Sequence, residues 1–247
     1  MHREKYIGQF QKGKFHGYGE YFYQNGDRYF VFDKFDEFDS RQTHQFCHPR
    51  RYKGAWKDDM FDGRGKYIDH KGSRYDGEWK EDKMHGSGEY LDSAGNLYKG
   101  TFHQGKFHGP GEMQYVSGEK YVGAFRLGKR HGNGKQIDVD GNEYDGQWCD
   151  NKRNGYGVHR DVMQGVYRGQ YKDGVRHGAG IYYWPEGQVD VVVCKEDVRV
   201  GRGVGFNPDK SRSWSLVDGQ FQCNIRLEEA RQIIRSIGLD PDELLKT

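Results

Sequence analysis

Aromatic residues and glycines recur at fixed positions along this chain, and polar residues fill the intervals between them. Residues 75–79, YDGEW, place large and small residues in alternation with polar ones, which puts them on one face of a β-strand. A polar turn at 80–84 follows, and residues 86–90, GSGEY, repeat the alternation. The pattern therefore predicts one β-hairpin per period. The period is 23 residues, because tyrosine recurs at Tyr6, Tyr29, Tyr52, Tyr75, Tyr98, Tyr121, Tyr144 and Tyr167.

Glycines keep the same register as the tyrosines. In most periods a glycine follows two residues after the tyrosine, and a glycine pair such as Gly86 and Gly88 lies on the return strand. Glycine weakens a strand because it packs nothing and loses entropy on folding. We expect large rings to lie over glycines of the neighbouring strand and to compensate for this loss. One hairpin cannot bury its own rings, so the hairpins must stack on one another.

Composition agrees with a repeated β-structure and argues against an ordinary two-layer core. Of 247 residues, 34% are hydrophobic, 15% are aromatic and 37 residues are glycine. The hydrophobic share is below the roughly 45–50% of typical domains, yet disordered chains are poor in aromatics. The formal net charge is only +2. We therefore expect no nucleic-acid partner, since no global field favours one.

Residues 98–111, YKGTFHQGKFHGPG, match the pattern Y-x-G-x-[WF]-x-x-G-x-x-H-G-x-G throughout. The chain thereby resembles the MORN repeat family (membrane occupation and recognition nexus). The resemblance covers residues 6–187, or eight periods. It implies an all-β fold, an elongated single-layer antiparallel sheet of stacked 23-residue hairpins with one aromatic-lined groove.

The same resemblance implies a non-catalytic scaffold or adaptor that binds a protein partner, in a cytoskeletal or ciliary assembly. Some family members carry an additional enzymatic domain. A regulatory segment of a larger enzyme is therefore one alternative, and a module that binds anionic phospholipid headgroups at a membrane surface is another.

Two stretches depart from the repeat. The second period, residues 29–51, keeps its length but has Val31 and Asp33 where glycine and tryptophan are expected. It is either a decayed repeat still hydrogen-bonded in the sheet or a bulged segment that contacts a partner. Residues 188–224 predict a degenerate ninth repeat or a linker.

The last stretch, residues 225–247, changes to helical spacing, with Leu227, Ala230 and Ile233 among its apolar positions. We expect a helix that ends at Gly238 and covers the last strand, whose open edge would otherwise invite aggregation. Binding a separate partner is the alternative role of this helix. A second helix begins at Asp240, so we expect the chain to continue into a longer protein.

The aromatic row is expected to hold the sheet together and, where its rings stay open, to form a groove for a helix or an extended segment of a partner. Self-association into a homodimer also stays open. The groove residues are Tyr52, Trp56, Tyr75, Trp79, Tyr98, Phe102, Tyr121, Phe125, Tyr144 and Trp148.

Basic residues recur at one turn position and predict a ridge along one edge of the sheet. The ridge is either a solvated surface or a contact for acidic lipid or an acidic partner, at about 1 kcal/mol per basic residue near an anionic membrane. Its members are Lys14, Lys83, Lys106, Lys129, Lys152, Arg130, Arg153 and Arg176.

Histidine also recurs once per repeat, as at His85, His108 and His131. Equivalent residues of successive repeats lie about 10 Å apart, too far to share a zinc ion with ligands at about 2.0–2.1 Å. We expect each histidine to cap its turn by hydrogen bonding. The lone cluster of His44, Cys47 and His48 offers too few ligands, so no metal and no cofactor are expected.

No catalytic arrangement of side chains stands out, and we expect no enzymatic activity. The four cysteines are widely spaced and are expected to be free thiols. There is no signal-peptide core and no apolar run near 18 residues. We therefore expect a cytoplasmic protein, cytoskeletal or ciliary by resemblance, that is neither secreted nor transmembrane.

Overall fold

The computed structural model describes residues 4–23 and 50–245. In these ranges the chain forms eighteen strands followed by two short helices. Within each of the chain's two units, each strand pairs antiparallel with the next along the chain. The all-β fold of stacked antiparallel hairpins with a helical C-terminal end is therefore confirmed.

The chain divides into two compact units, Met1–Gly128 and Lys129–Thr247. The N-terminal unit contains β1 (Lys5–Gln11), β2 (Lys14–Phe22), β3 (Arg51–Lys57), β4 (Met60–Ile68), β5 (Arg74–Lys80), β6 (Lys83–Leu91), β7 (Leu97–His103), β8 (Lys106–Gln114) and β9 (Lys120–Arg126). The C-terminal unit contains β10 (Lys129–Ile137), β11 (Glu143–Cys149), β12 (Lys152–Asp161), β13 (Gly165–Lys172), β14 (Val175–Tyr183), β15 (Val189–Lys195), β16 (Val198–Phe206), β17 (Ser213–Val217), β18 (Gln220–Ile225), α1 (Leu227–Ser236) and α2 (Pro241–Leu245).

Strand register follows the sequence period. Within the β3–β4 hairpin Gly54 lies opposite Gly65, and a bulge follows between Gly54 and Trp56. Between hairpins, Gly65 of β4 lies opposite Gly77 of β5, and Gly63 lies opposite Trp79. Side chains of equivalent positions are therefore aligned in lanes that run across the strands. One lane holds tyrosines, and another holds glycines.

The pairing of β2 with β3 follows the same register. Gly19 lies opposite Gly54, and Gly17 lies opposite Trp56, as in the β4–β5 pair. The first and third periods of the sequence are thus hydrogen-bonded to each other directly. Residues 24–49, which carry most of the second period, lie outside the described residues, and both expectations for 29–51 stay predictions.

The C-terminal end carries an aliphatic core between the sheet and the helices. Val191 and Val204 are fully buried on the face of β15 and β16 that lies opposite the tyrosine lane. Ala230, Ile233 and Ile234 of α1 pack against that face, with Leu244 of α2 beside them.

The helices were expected at this end, but their predicted contact with the edge of the last strand is corrected. Residues 220–224 of β18 are exposed. The reason is the aliphatic composition of β15 and β16, because valines on a sheet face need a second layer to be buried.

Helix α1 ends as the sequence predicts. Gly238 has a left-handed φ of 88°, and its N–H donates to the Arg235 carbonyl at 3.0 Å. The Asp240 carboxylate accepts the Asp242 N–H at 2.8 Å and so caps the start of α2. Neither helix in the described part of the chain has the length and apolar character needed to cross a lipid bilayer.

Candidate protein-binding face

The tyrosine lane lies directly over the glycine lane, and we call this side of the sheet the aromatic face. A Cβ atom placed on Gly88 would lie 2.6 Å from Cε2 of Tyr75, and one placed on Gly77 would lie 2.4 Å from the Tyr75 hydroxyl. Only glycine leaves room for the ring at these positions. The expectation that rings cover glycines is therefore confirmed.

Six of these tyrosines also donate a hydrogen bond to a carbonyl at the strand bulge. The Tyr98 hydroxyl donates to the Thr101 carbonyl at 2.9 Å, three residues along the same strand. The same bond is made by Tyr6, Tyr52, Tyr75, Tyr121 and Tyr144. Tyr167 makes no such bond within the described residues. This hydroxyl bond was not foreseen from the sequence, because it depends on the bulge.

Rings join each repeat to the next. Tyr52 stacks on Phe61 of its own hairpin at a centroid distance of 3.6 Å. It also meets Trp79 of the following hairpin edge-to-face at 5.6 Å. The Trp79 indole N–H donates to the Gly65 carbonyl of the preceding hairpin at 3.0 Å. Such ring pairs contribute roughly 0.5–1.5 kcal/mol beyond the area they bury.

The ten predicted groove residues all lie in this packing. Each is buried, with exposures from 0% for Tyr52 to 8% for Trp79. The structure thus shows that these side chains pack against one another on the sheet, and their contact with a partner stays a prediction.

Other aromatic residues on the return strands of the same face are partly exposed, and the sequence analysis did not single them out. They include Tyr67 and Tyr90, which lie opposite Tyr52 and Tyr75, and Phe107, which lies opposite Phe102. Tyr67 and Tyr90 are themselves one period apart, so the period could have identified them.

The predicted basic ridge divides into two rows. Its five lysines are exposed. Its arginines point to the aromatic face, because neighbouring residues of a strand point to opposite faces. Arg130 lies over the Trp148 ring with its Cζ 4.4 Å from the centroid, and Arg153 lies 4.7 Å over Tyr144. The expectation of one continuous ridge is corrected.

Side chains from the following repeat cap the hairpin turns. Asp82 accepts the Phe61 N–H at 2.7 Å, Asn151 accepts the Arg130 N–H, and Asp197 accepts the Arg176 N–H, both at 2.9 Å. The predicted histidine caps are wrong. No side chain among His16, His85, His108, His131 and His177 makes a hydrogen bond to another described residue.

The C-terminal unit has a cleft of about 300 Å³ on the aromatic face. Arg153, His159, Tyr171, Gly174 and Arg176 contribute to its lining. Burial lowers the pKa of His159, and the charges of Arg153 and Arg176 lower it further. His159 is therefore neutral at pH 7.

Three potential metal ligands lie together in the same unit. The ligand atoms of His131, Cys149 and Asp150 are all within 4.8 Å of one another. The sequence analysis missed this group, because it compared histidines of different repeats. Cys149 and Asp150 are exposed, and Lys129 lies 3.9 Å from the Asp150 carboxylate, which opposes a cation there. The cluster of His44, Cys47 and His48 lies outside the described residues, whose three cysteines are free thiols.

Comparison with known proteins identifies the repeat. The family model described as MORN repeat matches residues 6–28, 52–74, 75–97, 98–120, 121–143, 144–166 and 167–189. It omits 29–51, the period that lost its glycines. No curated protein matches this sequence.

Two solved structures are similar in part. The TCP domain of SAS-4 (dCPAP) from Drosophila melanogaster, in complex with a proline-rich motif of Ana2 (dSTIL), is 14% identical with a TM-score of 0.34, covering 57% of this chain and 85% of that one. The TCP10 domain of Danio rerio CPAP, in complex with a STIL peptide, is 13% identical with a TM-score of 0.28, covering 90% and 99%.

Proposed function

The chain belongs to the MORN repeat family, and on that premise we propose that it is a non-catalytic scaffold that binds a protein partner along its aromatic face. One observation carries the proposal. In the repeats no second layer covers this face among the described residues, whereas the aliphatic face of β15 and β16 is covered by α1. Partly exposed Tyr67, Tyr90 and Phe107 give the open face the aromatic character typical of binding hot spots.

The opposite face of the repeats carries ion pairs, beside exposed side chains such as Tyr156. Lys66 lies 3.2 Å from Asp76, and Lys99 lies 3.1 Å from Glu89, across neighbouring strands. Charge pairs of this kind suit a solvated surface. The contrast between the two faces favours the aromatic one for a helix or an extended segment of the partner. By resemblance to the family, we propose that such a partner belongs to a cytoskeletal or ciliary assembly of the cytoplasm.

The experiment compares one charged substitution on each face. Tyr90→Glu alters a partly exposed tyrosine of the aromatic face, and Tyr156→Glu is its control on the opposite face, where Tyr156 is 55% exposed. Proteins retained by the immobilised full chain from cell lysate are identified by mass spectrometry. We expect a partner that is lost with Tyr90→Glu and kept with Tyr156→Glu. Loss from both variants, or from neither while both stay folded, would contradict the proposal.

The exposed lysine row supports a second candidate, binding to anionic lipid. Lys14, Lys83 and Lys106 have no acidic partner among the described residues, although Lys129 and Lys152 lie 3.9 Å and 3.6 Å from aspartates. Vesicles of phosphatidylcholine with phosphatidylserine would sediment the chain at low salt and release it at high salt. Lys83→Glu with Lys106→Glu would abolish sedimentation. Unchanged sedimentation of that variant would dismiss this candidate.

A further inference from the structure

Arg153 and Arg176 occupy equivalent positions in successive repeats, but a glycine leaves Arg153 without the partner that Arg176 has. The Arg176 Nε lies 2.8 Å from the carboxylate of Asp197, the turn residue of the following hairpin. The residue that corresponds to Asp197 for Arg153 is Gly174. Its N–H donates to the Arg153 carbonyl at 2.9 Å, but it has no side chain to offer. Arg153 therefore has no carboxylate partner in the described residues.

A second polar group in the cleft is also without a partner. Tyr171 occupies a repeat position where earlier described repeats carry tryptophan or phenylalanine. A tryptophan there is satisfied, as when Trp148 donates to the Gly134 carbonyl at 2.8 Å. Tyr171 is only 5% exposed, and its hydroxyl has no hydrogen-bond partner among the residues that the structure describes. Buried polar groups are nearly always paired, so this hydroxyl points to a ligand.

The acids that line the cleft are already occupied. Asp161 accepts the N–H groups of Met163 at 2.9 Å and Gln164 at 2.8 Å. Asp197 is bound by Arg176. Arg153 is the arginine of the cleft that has no carboxylate partner among the described residues, and its guanidinium lies over the Tyr144 ring.

We propose that this cleft binds a carboxylate, presented by an aspartate or glutamate side chain of the protein segment that occupies the aromatic face. A guanidinium binds a carboxylate through two parallel charge-assisted hydrogen bonds, and the Tyr171 hydroxyl can donate a third. The cleft of about 300 Å³ has room for one such side chain. The inference rests on the proposed function, because it specifies one residue type within that partner.

Defined peptides test the inference without the partner. The full chain is titrated with a fluorescein-labelled peptide of alternating glutamate and glycine, capped at both ends, and with the same peptide carrying glutamine. Fluorescence anisotropy gives both dissociation constants. We expect the glutamate peptide to bind at least tenfold more tightly. Equal affinities, or no binding of the glutamate peptide, would overturn the inference.

A substitution that supplies the missing carboxylate from within makes the test specific. Gly174→Asp should occupy Arg153 and remove the tenfold preference. The Cβ position of Gly174 has no described atom within 4 Å, and Asp197 holds the equivalent place with a φ of 65°. The φ of 101° at Gly174 strains a side chain there, so the control must also replace a glycine of positive φ. Gly105→Asp is the matched control at an equally open turn, where the preceding repeat has Met84 instead of a cation.

We expect the control to keep the full preference for glutamate. A Gly174→Asp chain that keeps it as well would overturn the carboxylate site. The proposed function is tested separately, by the capture of a partner from lysate and its loss with the Tyr90→Glu variant.

Discussion

At the scale of the residue, the recurrent tyrosine makes three contacts that depend on one another. Its ring covers the glycine pair, its edge meets the aromatic residue of the following repeat, and its hydroxyl bonds to the bulged carbonyl. In Tyr98 all three are present, and the ring is fully buried. The glycines thus make room for the tyrosine ring, and the bulge positions the carbonyl that accepts its hydroxyl.

Removing one hydroxyl should destabilise the protein measurably. Tyr98→Phe leaves the Thr101 carbonyl without its partner, and a buried unsatisfied group costs about 1–3 kcal/mol. Urea unfolding followed by circular dichroism gives the difference in the free energy of unfolding. Tyr167→Phe is the control, because Tyr167 makes no bond to a carbonyl, and it should cost less. Equal losses in the two variants would contradict this role of the hydroxyl.

The half-buried His159 should make stability depend on pH. Its folded-state pKa is lowered by burial and by Arg153 and Arg176, while Asp161 and Asp138 act in the opposite direction. The unfolded chain therefore binds a proton first as the pH falls. Stability from this group is complete above a pH of about 6.5 and is lost as the pH falls below that value.

The measurement is the free energy of unfolding between pH 7.5 and 5 for the wild type and for His159→Gln. The variant should lose less stability over this range. If both chains lose the same amount, His159 is not buried in its neutral form.

At the scale of the element, the two faces of a strand decide what packs on it. In the repeats the face opposite the tyrosines carries ion pairs such as Lys66 with Asp76. In β15 the same face carries Val189 and Val191, which are 4% and 0% exposed beneath α1. The helix is therefore attached where the strand composition changes, and the last strand, β18, stays exposed.

Truncating the helix in its buried row should loosen this end of the chain. Ile234 is fully buried, and Ile234→Ala should destabilise the C-terminal unit by about 2–5 kcal/mol. Leu227→Ala on the same helix is the control, because Leu227 is 46% exposed and its change should stay within about 0.5 kcal/mol. Urea unfolding measures both. Similar losses would mean that the helix does not dock through Ile234.

At the scale of the whole molecule, register is set by whole periods of the sequence. The direct pairing of β2 with β3, in the register of β4 with β5, shows that strands from non-consecutive periods fit each other. Stability of such an array is close to a sum of hairpins and of contacts between neighbours.

Deleting one complete period should therefore leave a folded chain. Without residues 75–97, β4 would meet β7, with Gly65 opposite Gly100 as it is now opposite Gly77. We expect native-like near-ultraviolet circular dichroism and a smaller free energy of unfolding. Deletion of residues 83–91 is the control, because removing β6 alone brings two tyrosine-bearing strands together and should abolish cooperative unfolding. A folded control would show that register is not set by the period.

The sequence period was enough to predict the hairpins, the lanes and the ring-over-glycine packing, since each depends on residues that repeat. It could not predict contacts that depend on the bulge, or contacts between a turn residue and the residue 21 positions further along the chain, such as Arg176 with Asp197. The hydroxyl bond of Tyr98 is of the first kind. The missing partner of Arg153 is of the second kind, because Gly174 has the appearance of an ordinary turn glycine in the sequence.

Several hairpin turns are capped by a side chain that comes later in the sequence, so the order of synthesis affects when such a turn can be capped. The carboxylate that holds the turn before Phe61 belongs to Asp82, and the one that holds the turn before Arg176 belongs to Asp197. Because the ribosome releases a chain from its N-terminus, each hairpin leaves the exit tunnel before the side chain that secures its turn. Folding of this protein during translation should thus lag synthesis by about one hairpin. If the ribosome pauses, the turn of the newest hairpin stays uncapped until the following hairpin emerges.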